Sequence, residues 1–84
     1  MRLILPVIYR KTESEYKIDA DLPLSADDFV VNNVIFYKID VIEPVKNSPN
    51  ECIVTVSGAD YRVALSMKEV DKKIMKQKLH YGSN

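Results

Sequence analysis

The chain has 84 residues, 46% of them apolar and 29% charged, the balance of a single small globular domain rather than a disordered, collagen-like or membrane-embedded one. Twelve basic and twelve acidic side chains cancel, so no global field draws the chain toward nucleic acid or a membrane surface. A domain this short hides only about 60–65% of the surface its unfolded form exposes, and its stability margin is correspondingly thin.

The first apolar run, Leu3 to Tyr9, contains Pro6 and is followed by Arg10 and Lys11. It is far shorter than the roughly 20 residues of a membrane span. Leu3, Leu5, Val7 and Tyr9 fall on one strand face and Ile4 and Ile8 on the other, which predicts an internal or covered strand. Pro6 argues instead for an edge or a bulge, because it lacks an N–H. From Glu15 to Leu22 apolar and charged residues alternate, predicting a half-exposed strand that serves as a sheet edge, with Lys17 pointing outward as a guard. Ser25 and Asp28 have capping-box spacing, suited to a single helical turn or to a plain loop.

Val34 to Glu43 is rich in β-branched and aromatic residues and predicts a central strand. Its apolar row is Ile35, Tyr37, Ile39 and Val41, against a patchier row of Val34, Phe36 and Ile42 interrupted by Lys38 and Asp40. Pro44 to Asn50 reads as a turn. Next, Gly58-Ala59 separates two alternating segments, the glycine-first pattern of a type II′ hairpin. That loop pairs Val56 with Tyr61, Val54 with Val63 and Cys52 with Leu65 on one apolar face. Ser66 and Glu69 then form a second capping box ahead of Met67, Val70, Ile74, Met75 and Leu79 at helical spacing. Gly82 stands beyond the last apolar residue, where a left-handed cap would end the helix.

Together these elements predict an α+β domain spanning residues 1–84. Its strands lie near 2–9, 15–22, 34–43, 51–57 and 60–65, with one amphipathic helix near 67–80 packed on the sheet. The connections are too short for crossover helices, so the sheet is mostly antiparallel, open or barrel-like.

Few residues can carry chemistry. His80 is the sole histidine, near the end of the chain, and Cys52, the sole cysteine, falls on the apolar hairpin face. Neither a nucleophile–base pair nor a four-ligand zinc site follows from them. Two glycines cannot build a phosphate-cradling loop. No cofactor, no metal and no catalytic residue is expected. The absence of a cysteine framework and of a signal-like leader points to a cytoplasmic chain.

Two charge clusters remain. Between Glu13 and Asp28 six acids face a single lysine, Lys17. Asp19 and Asp21 share a face of the predicted strand, where paired carboxylates could hold a divalent ion or act as acid and base, or simply keep the strand solvated. In the helix Lys68, Lys72 and Lys76 form an i, i+4, i+8 ridge beside Lys73. Such a ridge suits phosphates or an acidic protein surface, and equally the solvated back of an amphipathic helix. It carries no arginine and no aromatic for base readout or stacking.

The stretch from Val34 to Lys76, a strand, a hairpin and a capped helix, includes Ser57-Gly58, Tyr61, Val63, Ser66 and Glu69-Val70. In that layout it resembles LytTR-type DNA-binding domains and small FlbD-like flagellar regulatory proteins. The resemblance covers about half the chain and implies a nucleic-acid-binding regulator. It transfers no functional residue, because the chain stops after the helix where a LytTR-type domain continues with further basic strands and loops. The residues themselves favour a small non-enzymatic domain that binds a protein or a second copy of itself as a homodimer. Nucleic-acid binding by the basic helix, or weak metal-dependent activity at the acidic segment, are the alternatives.

Overall fold

The computed structural model describes residues 1–82, with side chains through residue 78. Five strands form one antiparallel sheet in the order β2-β1-β5-β4-β3, comprising β1 Leu3–Arg10, β2 Phe29–Phe36, β3 Val41–Val45, β4 Ser48–Val56 and β5 Ala59–Val63. A short helix, α1 Glu15–Asp19, lies in the β1–β2 connection, and α2 Met67–Gly82 closes the chain. The sheet is open, with β2 and β3 at its edges, and α2 lies on one face. This is the α+β layout the sequence predicts, although not every strand is where expected.

Alternating burial explains how the layers assemble. Leu3, Leu5 and Val7 of β1, Phe36 of β2, Cys52 and Val54 of β4, and Val63 of β5 turn inward to meet Val70 of α2. Ile39, Ile42, Tyr61, Leu65 and Ile74 pack around them, and the rings of Phe36 and Tyr61 meet edge to face at 5.2 Å. The Ser66 box starts α2 as expected: Glu69 N–H donates to Ser66 Oγ at 3.1 Å, and Ser66 N–H donates to Glu69 Oε1 at 3.2 Å. Of the predicted apolar stripe, Val70 is fully buried and Ile74 partly, while Met67 and Met75 are exposed. The Leu79 and His80 side chains and any cap beyond Gly82 lie outside the described residues.

Three expected segments and one turn are corrected. The segment Glu15 to Leu22 is not a strand: Glu15–Asp19 is helical, and Asp21 reverses the chain at φ 57°. Tyr16, Ile18 and Leu22 all stay exposed there, so no buried face enforces the alternation. The predicted strand Val34–Glu43 is divided between β2 and β3. Its patchy row is the inward one, because Lys38 and Asp40 sit in the turn between the strands, where Asp40 Oδ2 accepts from Ser57 N–H at 2.7 Å. Within Pro44–Asn50 only Lys46-Asn47 turns, with Asn47 at φ 65°; the rest belongs to the β3–β4 hairpin.

The β4–β5 hairpin pairs Val56 with Ala59, Val54 with Tyr61 and Cys52 with Val63 around a Ser57-Gly58 loop. Both loop residues have positive φ, 50° and 83°, which makes the turn type I′ rather than II′. The loop moves by one residue, so each partner moves by two, and strand parity keeps every side chain on its predicted face. Pro6 lies in an internal strand, yet it faces β5 where β1 and β5 share a single bridge, Val7 with Val63. Its missing N–H therefore costs little of the ladder.

Candidate functional site

Antiparallel partners share a face, so the β1–β2 register sets out the sheet side opposite α2 residue by residue. Ile4 stands beside Ile35, Pro6 beside Asn33, Ile8 beside Val31 and Arg10 beside Phe29. Ile4 is 47% exposed, Val31 52%, Ile35 40% and Phe29 37%. No described element covers them. The other half of this outer face is mixed: exposed Val41 and half-buried Ile53 stand among polar side chains that pair with one another. Thr55 Oγ1 donates to Asp60 Oδ1 at 2.7 Å, and Arg62 Nε pairs with Glu51 Oε1 at 2.5 Å. One sheet face thus carries a mainly apolar β1–β2 half and a half dominated by self-paired polar side chains.

The apolar half extends outward as an arm. Beyond Val7 the β1–β2 pair has no further partner in β5, and Tyr9 and Val30, which face inward by register, are exposed. The connection at the arm's tip adds exposed Tyr16, Ile18, Leu22 and Leu24. It is fastened by Asp28, nearly fully buried with Ser14. Ser14 Oγ donates to Asp28 Oδ1 at 2.7 Å, Ser25 N–H to Oδ2 at 2.7 Å, and Lys17 Nζ reaches both oxygens at 2.9 and 3.0 Å. The Ser25 backbone donor, then Lys17 and Ser14, hold the carboxyl far below the usual carboxylate range. The same contact raises the Lys17 ammonium.

The residues singled out from the sequence are not brought together. Lys68, Lys72, Lys73 and Lys76 are exposed on α2, remote in kind from the apolar arm and interleaved with exposed Glu69 and Asp71. Asp19 ends α1 and Asp21 sits in the following turn, so they share no strand face. Among the described residues no group of three His, Cys, Asp or Glu side chains is placed to hold a metal. Cys52 is fully buried in the core, and desolvation, with Glu69 nearby, pushes its thiol up, away from nucleophilic use. The sequence signal for the apolar half was present in Ile4 and Ile8, the second face of β1. It reads as burial until β2 is seen to have nothing over it.

Compared with protein-family models, curated proteins and solved structures, the chain shows no significant match.

Proposed function

We propose that this chain is a small non-enzymatic interaction module that binds a protein surface through the outer face of its β1–β2 half. The exposed row of Ile4, Ile35, Val31 and Phe29, with half-buried Ile8 between them, carries the reading. Side chains of this kind left about half exposed forgo roughly 1 kcal/mol each in burial, and a contiguous apolar patch of this sort marks interaction surfaces. The adjoining polar half supplies the wet rim such interfaces have. The basic α2 ridge, the support for nucleic-acid binding, has Glu69 and Asp71 among its lysines, which dilutes its field.

The test compares two variants of the tagged chain in affinity capture from its own cells. Ile4→Lys/Ile35→Glu places opposite charges on an exposed cross-strand pair, which favours their pairing, and should abolish capture of the wild-type partner. Lys68→Gln/Lys72→Gln/Lys76→Gln should retain it, since glutamine and lysine have similar helix propensities. The opposite pattern, with the ridge variant losing the partner and the Ile4/Ile35 variant keeping it, overturns the reading in favour of the helix.

A further inference from the structure

The two edges of the sheet are unlike. β3 has five residues, carries Glu43 and Pro44, and its register breaks between Pro44 and Val45. Charge, proline and a bulge are the devices that keep an edge strand from pairing. β2 has none of them. Its eight residues, Phe29-Val30-Val31-Asn32-Asn33-Val34-Ile35-Phe36, are all uncharged and run in unbroken register along β1.

The direction of its backbone groups follows from two hydrogen bonds. Lys11 N–H donates to the Asp28 carbonyl at 2.8 Å, so that pair is of the bonded kind. Alternation then makes Val30, Asn32, Val34 and Phe36 the β2 residues bonded to β1. Ala64 N–H donates to the Pro6 carbonyl at 2.8 Å, which agrees: Pro6 faces β5, and its partner Asn33 faces away. Phe29, Val31, Asn33 and Ile35 therefore lie with their backbone groups toward the open edge. The Phe29 N–H turns back to the Ala26 carbonyl, and among the described residues nothing bonds to the Phe29 carbonyl or to the N–H and C=O groups of Val31, Asn33 and Ile35.

We propose that β2 pairs antiparallel with β2 of a second copy about a two-fold axis at Asn32, joining two sheets into one. This rests on the interaction reading above and names a partner for the edge of that same half. A two-fold axis perpendicular to the sheet keeps each face on its own side, so residues of like parity must oppose. One register engages all four outward residues: Phe29, through its carbonyl, with Ile35 of the second copy, and Val31 with its Asn33. Any other even register leaves an outward group unpaired. Asn32 then faces its own counterpart, and Val30 faces Val34. The charges agree as well. The axis brings Asp27, just before one β2, toward Lys38, just after the other, at both ends of the ladder. Lys38 has only a loose 3.8 Å contact with Asp40 to give up.

Asn32 opposes its counterpart as a non-bonded pair, with Cα atoms about 4.5 Å apart, within disulfide reach. The test uses the full chain with Asn32→Cys or Asn33→Cys under mild oxidation, alongside sedimentation of the wild type across a hundredfold concentration range. Both asparagines are exposed, so circular dichroism should show intact folds. The expected result is a concentration-dependent wild-type dimer and a covalent dimer forming at least tenfold faster from Asn32→Cys than from Asn33→Cys. Asn32→Lys should weaken the dimer at least tenfold, and mixing it with Asn32→Asp should restore a heterodimer. A wild type that stays monomeric, or equal or faster cross-linking of Asn33→Cys, overturns the pairing. If that monomer still loses a captured partner through Ile4→Lys/Ile35→Glu, β2 self-pairing fails and the interaction reading stands. A monomer that captures nothing removes both.

Discussion

Asp28 fastens the β1–β2 connection through residues drawn from three places in the chain. Ser25 lies three positions away and was readable as a cap, but Ser14 and Lys17 stand 14 and 11 positions back, and no local spacing announces them. Because the folded carboxyl is depressed, its contribution is fully present above the unfolded value of about 3.9 and is lost as pH falls below it. Melting temperature should therefore fall more steeply for wild type than for Asp28→Asn between pH 5 and pH 2.5, with the wild type the more stable protein at pH 7. Parallel pH profiles for the two proteins would show that the carboxylate fastens nothing.

The hairpin shows what an element's sequence can and cannot disclose. Gly58 marks the turn, but whether it takes the first or second loop position depends on the preceding residue accepting a left-handed backbone. Ser57 does so at φ 50°, a conformation more at home in asparagine or glycine. Ser57→Asn should raise stability by about 0.5 kcal/mol, read as a higher melting temperature. The bond to Asp40 Oδ2 is donated by the Ser57 backbone N–H and should persist; a destabilised variant would contradict the type I′ assignment. Faces were legible here because parity survives a two-residue shift, and the α2 start was legible because Ser66 and Glu69 are local. The strand expected at Glu15–Leu22 failed for the opposite reason. Alternation specifies a strand only when one face is buried, and Tyr16, Ile18 and Leu22 are all in solvent. In Val34–Glu43, β propensity ran across a turn that Asp40 fixes through Thr55 and Ser57. Phe29–Asn33 escaped notice because asparagine is depleted in strands, although Asn32 and Asn33 here pair with Val7 and Pro6.

As a whole the molecule is long for its mass. Its radius of gyration is 15.0 Å and its extents 55 × 23 × 21 Å, whereas a compact chain of this length has a radius of about 12 Å. The core lies where α2 covers β4, β5, the first half of β1 and Phe36 at the end of β2, and beyond Val7 the arm runs on from that body with no ladder partner in β5. Local stability should follow that division. In native-state hydrogen exchange below the concentration of any assembly, the β1-bonded amides of Val30 and Asn32 should exchange at least tenfold faster than those of Cys52 and Val54. Equal protection would mean that arm and body unfold as one unit. The apolar half-site belongs to the same scale. The residues of β1 were visible in sequence, but their exposure depends on which strand lies beside them and on α2 choosing the other face.

The difference between a bulged, proline-bearing β3 and a smooth β2 also sets a valency. A sheet with two receptive borders can recruit copies without limit, and each addition creates a fresh border for the next. With one border receptive, a symmetric encounter consumes it on both molecules, and the composite ends on two β3 strands that Glu43, Pro44 and the bulge keep from recruiting another. The point group then closes at two. Under the proposed pairing, this uncharged eight-residue edge would act as a connector that terminates its own growth.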